Sequence, residues 1–325
     1  MRPIRTEEDT MDLLRASKAL AVISAWNGLG LFRVLMDGPK RLLDLDADAR
    51  ALQTTAPVLR HLGLLVGDDE RVGLSATAVA LYEQNALPTA RNLEFLADQS
   101  QLMEILREGG PAKGHDGRSK ATEGGVHRDS PEKTREFLDM LYRRSESSAR
   151  QTCAWIEPLL RPGSRVLDLG GGHGRYARLF ADAGHRATLF DLPHVIDYAR
   201  ERHGEAIDYL RGDYHTATDF GGPYDLVLLS NIVHSESSDT NQRLMHELAA
   251  VTRPGGHIVL KDMFLDESEQ NPTAAVFFGL TMLLHTREGR AQRIDHARQW
   301  LETAGCVDVR VAHFGSYSLV RAQRA

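Results

Sequence analysis

The stretch RVLDLGGGHGRYARLF, residues Arg165 to Phe180, joins an apolar run, a carboxylate and a row of glycines. The apolar residues predict a buried strand near Asp168, and RYARLFADAG predicts the helix that follows it. Glycine allows the backbone to approach a ligand closely and to adopt left-handed conformations. The alternate glycines Gly170, Gly172 and Gly174 therefore predict a ligand-binding turn between a strand and a helix.

From Arg165 onward, apolar segments alternate with helical ones, which predicts an α/β fold with a mostly parallel sheet covered on both faces. The five predicted strands are RVLDLG, RATLFDLP, IDYLRGD, YDLVLLSNIV and GGHIVLKDMF. The last segment, CVDVRVAHF-GS-YSLVRAQ, predicts two further strands joined by a tight turn. We expect this hairpin to close one edge of the sheet as an antiparallel pair.

The first hundred residues predict helices and one small hairpin. The segment DLLRASKALAVISAWNGLGLFRVLM has helical spacing up to Gly38-Pro39, and ADARALQTTAPVLRHLGLL is a second helical stretch with Pro57 as a candidate boundary. LLVGDDERVGLS predicts the hairpin, and this order of elements is typical of a winged helix. Acidic and basic side chains are mixed in the segment that would face DNA, which favours dimerisation or a lid role over nucleic-acid binding.

The composition points to a soluble protein. The chain has 325 residues, 42% of them hydrophobic, a net charge of −6 and no long basic block, so we expect no nucleic-acid partner. Cys153 and Cys306 lack the spacing of a disulfide framework, and the run ALAVISAW is too short to span a membrane. We expect a cytoplasmic location, no membrane contact and, because the 14 histidines are scattered, no metal site.

Three acids follow successive predicted strands near the glycines. Arg175 occupies the last glycine position of G-x-G-x-x-G, so the turn departs from the dinucleotide fingerprint, and Asp168 suits a ligand ammonium group. Asp191 is placed to bind both hydroxyls of a ribose, and Asp213 to reach an adenine amino group. One such acid alone could equally cap a helix, but together they predict S-adenosylmethionine as the ligand.

The order and spacing of five segments resemble those of class I methyltransferases: VLDLGGGHGRYA, LFDLPHVIDYAR, RGDY, YDLVLLSNIVHSE and VTRPGGHIVLKDMF. The phrase DLP-x-V is similar to that of the caffeic acid, acetylserotonin and hydroxyneurosporene O-methyltransferase family. The N-terminal module, the linking helix and the segment LTMLLHTREGR also resemble that family. The resemblance is strong from Val166 to Phe264 and weaker before Lys133.

The resemblance implies a Rossmann-like sheet of seven strands and an N-terminal winged-helix domain that forms an intertwined homodimer. We therefore expect residues 1–107 to be the dimerisation domain and residues 108–150 to be a flexible loop and a linking helix. Residues 151–325 would be the catalytic domain, which binds S-adenosylmethionine and releases S-adenosylhomocysteine (SAH). The residues expected to contact the cofactor are Met140, Ser147, Asp168, Gly170, Gly172, Asp191, Leu192, Asp213, Tyr214 and Ser230.

His234 in NIVHSE occupies the place of the catalytic histidine in this family, and Asp262 that of the acid which orients it. Methyl transfer to a hydroxyl is an in-line displacement that needs a positioned base, and histidine titrates near neutrality. The helical residues expected to face a small aromatic or polyketide-like hydroxyl substrate, or else to belong to the core, are Phe277, Phe278, Met282 and His285.

The sequence departs from the family pattern at several places. Ser235-Glu236 replaces an Asp-Trp pair, Ser230 stands where plant members have a lysine, and Ala291 falls where a second orienting acid is expected. A Gly-rich stretch, Glu108 to Glu132, replaces the aromatic substrate loop, and we expect His173 to face solvent. Two alternatives stay open: a relative that keeps the cofactor for hydroxylation or pericyclic chemistry, and a winged-helix regulator that senses the cofactor.

Overall fold

A computed structural model describes residues 3–114, 117, 119–120 and 131–325. The chain divides into two compact units, Met1–Glu108 and Gly109–Ala325. Most of the Gly-rich stretch that the sequence predicts to be a flexible loop lies outside the described residues. Among the described residues, no helix combines the length and the apolar character needed to cross a bilayer.

The first unit contains six helices and a two-stranded antiparallel hairpin. Its elements are α1 Glu7–Gly28, α2 Leu31–Met36, α3 Ala49–His61, β1 Leu65–Val66, β2 Gly73–Leu74, α4 Ala76–Glu83, α5 Ala90–Gln99 and α6 Leu102–Glu108. The side chains of Trp26, Phe32, Leu52 and Leu59 are buried at its centre. The predicted hairpin is present, with Leu65 opposite Leu74.

The first unit differs from the expectations in two places. The first helical segment ends before Gly38-Pro39, as expected, but it is not one helix: Gly30 adopts a left-handed φ of 73°, and this additional break separates α1 from α2. Pro57 does not mark a boundary, since α3 continues through it to His61. The winged-helix assignment stays a prediction.

The second unit is built around a seven-stranded sheet of order β5-β4-β3-β6-β7-β9-β8. Its strands are β3 Arg165–Leu169, β4 Arg186–Asp191, β5 Asp208–Arg211, β6 Tyr224–Ser230, β7 Thr252–Asp262, β8 Cys306–Phe314 and β9 Tyr317–Arg324. Its helices are α7 Pro131–Arg144, α8 Glu146–Ile156, α9 Arg175–Asp182, α10 Pro193–His203, α11 Ser238–Val251, α12 Thr273–His285 and α13 Ile294–Thr303.

The first five strands of this sheet pair in parallel, and the β8–β9 hairpin adds an antiparallel edge, as the sequence predicts. Alternate residues of the central strands are buried on opposite faces: Leu167 and Leu229 on one, Val166 and Leu228 on the other. Burial on both faces explains why these strands are continuous apolar runs. The architecture brings the carboxyl ends of β3 to β7 to one edge, where α/β proteins bind ligands.

The linking helix, expected as one element, consists of α7 and α8. They are separated at Ser145, whose hydroxyl donates a hydrogen bond of 3.2 Å to the Tyr142 carbonyl oxygen. A serine side chain that bonds back to the preceding turn competes with the regular helical pattern. The expectation of a single continuous helix is therefore wrong.

Candidate active site

The turn between β3 and α9 is shaped by its glycines. Gly170 and Gly172 have left-handed φ values of 62° and 54°. A Cβ atom at Gly171 would lie 2.3 Å from Oδ2 of Asp168, and one at Gly170 would lie 2.5 Å from Cδ1 of Ile232. Larger residues would therefore either strain this backbone or clash with the walls beside it.

Asp168 is fully buried beneath this turn. Its Oδ2 accepts a hydrogen bond of 3.1 Å from the Ala177 N–H, while Oδ1 has no hydrogen-bond partner among the described residues. Burial, opposed by that hydrogen bond, raises the pKa of Asp168 to about 7. An unpartnered buried carboxylate oxygen suits a ligand that carries a donor, such as an ammonium group.

Asp191, the last residue of β4, connects the second strand end to the glycine turn. Its carboxylate accepts hydrogen bonds from the N–H groups of Gly172, at 2.9 Å, and of the half-buried Leu192, at 2.7 Å. Burial raises its pKa to about 6 despite these two bonds. The two backbone contacts hold the carboxylate in a defined orientation at the edge of the sheet.

Asp213 and Tyr214 follow β5 and are both half-buried. The ring of Tyr214 approaches the glycine turn, because its Cε1 would lie 3.9 Å from a Cβ atom at Gly170. Asp213 Oδ1 accepts a hydrogen bond of 3.0 Å from the backbone N–H of His215. The segment after the third predicted strand thus reaches the glycine turn, although β4 lies between β5 and β3 in the sheet.

At the end of β6, Ser230 is buried and its hydroxyl has no hydrogen-bond partner among the described residues. Lys261 lies opposite Ser230 in the β6–β7 register. Its Nζ donates to Asn231 Oδ1 at 3.2 Å and lies 4.6 Å from the centre of the Tyr317 ring. Burial lowers the pKa of Lys261 to about 8. The sequence gives no signal for this amine, since a lysine in an apolar strand forms no motif.

The two contacts expected from the linking helix differ in exposure. Met140 is half-buried on α7, whereas Ser147 is exposed in the first turn of α8. Their roles in cofactor binding stay predictions.

His234 and Asp262 are brought together at the ends of β6 and β7. His234 lies on a short 3-10 turn, Val233–Ser235, and its Nδ1 is 2.7 Å from Oδ1 of the buried Asp262. Asp262 Oδ2 also faces the His234 backbone N–H at 3.3 Å. The other ring nitrogen, Nε2, makes no hydrogen bond with a described residue, so the carboxylate orients a ring whose second nitrogen faces away from it.

The turn that carries His234 is held by its neighbours. Asn241 Nδ2 donates to the Val233 carbonyl oxygen at 2.9 Å, and the Arg290 N–H donates to the His234 carbonyl oxygen at 2.8 Å. Gly289 packs so closely that a Cβ atom there would lie 2.6 Å from that same oxygen. Ala291, where a second acid is expected, is a buried apolar residue.

Only part of the α12 set lies against the candidate base. The ring of Phe278 meets the His234 ring edge-on, with centroids 4.8 Å apart. Phe277 is 53% exposed, Met282 is buried and His285 is half-buried. Phe278 thus contacts the candidate base, while helical periodicity turns Phe277 towards solvent, and the substrate contacts expected of these residues stay predictions.

The expectation that His173 faces solvent is wrong. The residue is buried beside Tyr142, whose ring centre lies 5.7 Å from that of His173. Its backbone oxygen accepts a hydrogen bond of 2.9 Å from His203 Nε2, and its Nδ1 accepts from the Arg175 N–H at 3.2 Å. Burial lowers the pKa of His173 to about 3, so its ring is neutral. In the described part of the chain, no three potential metal ligands come together.

Comparison with protein families identifies this region. A sequence model described as an O-methyltransferase domain matches residues 100–307. The chain is 31% identical over 186 residues to 3-hydroxy-5-methyl-1-naphthoate 3-O-methyltransferase of Streptomyces sahachiroi, covering 55% of this chain and 53% of that protein. The chain spans about half the length of the curated relatives it matches.

Two solved structures share the fold over nearly the whole chain. PigF with SAH has a TM-score of 0.81 and 22% identity and covers 98% of this chain and 100% of that one. Human N-acetylserotonin methyltransferase in complex with SAM has a TM-score of 0.77 and 21% identity and covers 100% of both chains. At these identities the likeness establishes the fold alone.

Proposed function

Because the chain belongs to the O-methyltransferase domain family, we propose that it transfers a methyl group from S-adenosylmethionine to a hydroxyl group, with His234 as general base. The observation that carries the proposal is the His234–Asp262 pair, in which one ring nitrogen is held by a buried carboxylate at 2.7 Å. The pair lies at the edge where the ligand-binding turn is also found.

The family depends on S-adenosylmethionine, and the residues present fit it. Asp168 Oδ1 and Ser230 Oγ are buried polar atoms with no hydrogen-bond partner among the described residues, which suits the donors and acceptors of an amino-acid tail. Asp191 would bind the ribose hydroxyls, and Asp213 with Tyr214 the adenine. When bound, the cofactor supplies an electrophilic methyl group on a sulfonium.

The protein residues would then position and deprotonate the acceptor. His234 Nε2 takes the hydroxyl proton, and the Asp262 carboxylate stabilises the imidazolium that forms while Nδ1 stays bound to it. The oxygen would keep the electron pair of the broken O–H bond and so be a nucleophile for the methyl group that the cofactor supplies, with the neutral thioether SAH as the leaving group. Hydrogen bonds to its backbone turn keep His234 from swinging away from this position.

For the acceptor we propose a small aromatic or polyketide-like hydroxyl compound. The edge-on contact of Phe278 with His234 places an aromatic wall beside the base, and aromatic rings favour such edge contacts with one another. The names of the similar naphthoate and acetylserotonin enzymes support the same class.

We further propose a homodimer formed by the first unit. Large apolar side chains on its helices are strongly exposed, which is characteristic of protein interfaces: Met11 and Leu14 on α1, and Met103 and Leu106 on α6. Light scattering at micromolar concentration should give twice the mass of one chain, and a monomer would contradict the proposal. A cytoplasmic location stays a prediction from the sequence.

The deciding experiment is a screen of hydroxylated aromatic compounds for SAH release, with the methylated product identified by mass spectrometry. Calorimetry with SAH accompanies it, because Asp191→Ala should weaken binding by about 2–4 kcal/mol through the loss of two charge-assisted hydrogen bonds. Product without a new methyl group would favour hydroxylation or pericyclic chemistry. Binding without turnover of any compound would favour the regulator.

A further inference from the structure

A second histidine, His215, lies between two carboxylates at the adenosine side of the candidate site. Its Nδ1 is 3.0 Å from Asp213 Oδ1, and its Nε2 is 3.0 Å from Glu236 Oε2. Asp213 also accepts the backbone N–H of His215. A histidine that faces a carboxylate at each ring nitrogen must be protonated to donate to both.

Glu236 uses its other oxygen for a neighbouring ring. The Tyr214 hydroxyl donates to Glu236 Oε1 at 2.7 Å, and the Tyr214 and His215 rings lie 4.4 Å apart. Glu236 itself is buried, with 6% of its surface exposed. We call Asp213, Tyr214, His215 and Glu236 the Glu236 network.

The Glu236 network reaches the turn that carries the candidate base. Glu236 follows His234 by two residues, and its carbonyl oxygen accepts a hydrogen bond of 3.1 Å from the buried Gln292 side chain. Glu236 stands in the place where the family pattern has the tryptophan of Asp-Trp. One buried carboxylate therefore joins the turn of His234 to the residues expected to bind adenine.

The charges around the network favour a protonated His215. The hydrogen bond to Glu236, which outweighs partial burial, raises the pKa of His215 to about 9. The pKa of Tyr214 is raised well above its ordinary value, mainly by burial and next by the charge of the Glu236 carboxylate. The neighbouring cation, Arg243, approaches the Tyr214 carbonyl oxygen at 3.4 Å and pairs with Glu247 on its own helix. Asp191 is the remaining acid whose charge acts on Tyr214.

We propose that His215 and Glu236 are positioning residues for the adenosine part of the cofactor. The protonated His215 ring connects Asp213 to Glu236, and Glu236 holds the Tyr214 ring by its hydroxyl. The two groups expected to contact adenine are thereby kept in place before the ligand arrives, which lowers the ordering cost of binding. The inference rests on the proposed function, since that function supplies the ligand.

The test measures ligand affinity by calorimetry with 5′-methylthioadenosine, an adenosine compound without the amino-acid tail. This probe has no group that titrates between about pH 7 and about pH 10, so a pH effect in that range comes from the protein. The comparison uses wild type, His215→Gln and, as control, His313→Gln. His313 is an exposed histidine outside the network, with its Nδ1 at 2.9 Å from Ser318 Oγ.

At about pH 7.5, His215→Gln should lower the affinity for the probe by about 10-fold, the equivalent of one charge-assisted hydrogen bond. The variant His313→Gln should bind the probe with wild-type affinity. Wild-type affinity should fall as the pH rises through about 9, because His215 loses the proton with which it donates a hydrogen bond to its second carboxylate. The affinity of His215→Gln should stay level over that range. Equal affinities at pH 7.5, or parallel pH profiles, would overturn the proposal.

Glu236→Gln provides a second variant, which keeps an oxygen for the Tyr214 hydroxyl and removes only the charge. The pH at which affinity falls should move down by about one unit or more, because the main cause of the raised His215 pKa is lost. An unmoved profile would also overturn the proposal. If wild type bound neither the probe nor SAH, the proposed function would fail first, so the two failures are distinguishable.

Discussion

Two histidines meet carboxylates in the second unit, and they differ in how many ring nitrogens are engaged. His234 faces Asp262 with Nδ1 and leaves Nε2 without a hydrogen bond to a described residue. His215 faces Asp213 with one nitrogen and Glu236 with the other. A ring held at one nitrogen can exchange a proton at the second, whereas a ring held at both acts as a stable cation. Histidine can thus serve as a general base in one cluster and as a positioning residue in the other.

The largest effect should come from His234→Ala. Removal of a general base costs about 100- to 10,000-fold in rate, whereas the proposed cofactor contacts are other residues, so SAH affinity should hardly change. Single-turnover kinetics with the identified acceptor measure the first quantity, and calorimetry measures the second. The loss should shrink as the pH rises, because an ionised phenolate needs no base.

A wild-type rate for His234→Ala at neutral pH would show that both histidines are structural. The two histidines would then no longer differ in role. Methyl transfer would have to be explained by proximity alone, or by Asp262 or His285 as the base. Equal losses of rate and of SAH affinity would instead assign His234 to the cofactor.

Asp262→Asn should reduce the rate by about 10- to 100-fold, less than His234→Ala does. An asparagine oxygen can still accept a hydrogen bond from Nδ1, but it cannot stabilise the imidazolium as a buried carboxylate does. The exposed Glu267→Gln is a matched control that removes a negative charge from the same segment. A loss in Asp262→Asn as small as that of the control would show that Asp262 does not orient the base.

The contrast between the histidines also shows what the sequence could and could not predict. Apolar runs that lead to Asp168 and Asp191 indicated two of the strands and their shared edge, because parallel strands are buried on both faces. The match of NIVHSE to a family phrase indicated His234. Neither signal could find His215, since its second carboxylate, on Glu236, is 21 residues away along the chain. That contact depends on the turn after β6.

Other misses have similar physical causes. His173 carries a polar ring inside a glycine turn, which favours exposure in a sequence pattern, but packing against Tyr142 buries it. Lys261 is a charged residue in an otherwise apolar strand, and only the three-dimensional neighbours Asn231 and Tyr317 explain how its amine is accommodated. The local sequence pattern predicts which face of a helix or strand is buried. These contacts, in contrast, join chain segments that are distant in sequence.

A third prediction extends the comparison to Asp168, a buried carboxylate whose raised pKa has no described cation among its causes. Its raised pKa of about 7 means that the folded protein holds a proton which the unfolded chain releases above about pH 4. The stability of the ligand-free protein should therefore fall as the pH rises through this range. Asp168→Asn should remove that dependence, so the variant's gain in the free energy of unfolding over wild type should be larger at pH 8 than at pH 5 by on the order of 2 kcal/mol.

Denaturant unfolding of both proteins at the two pH values measures the difference. The same variant should bind SAH more weakly, because it loses the charge that would meet an ammonium group. A variant that is less stable than wild type at pH 8 would contradict this prediction. It would show that contacts which the asparagine cannot make offset the cost of burying the Asp168 charge.

The smallest effect concerns the stability that the protonated His215 contributes in the ligand-free protein. Its pKa is raised to about 9 from an ordinary value near 6.5, so its contribution is complete below about pH 6.5 and is lost as the pH rises through about 9. Because the ring is about one-third exposed, solvent screens the interaction, and His215→Gln should cost only about 1 kcal/mol at pH 6.5. That cost should vanish near pH 10, where wild type and variant should unfold at the same denaturant concentration.

His313→Gln, which lacks a carboxylate partner at its ring among the described contacts, should show no such convergence. A constant difference between wild type and His215→Gln across this range would mean that the ring stabilises by packing rather than by charge, and the distinction from His234 would then rest on catalysis alone.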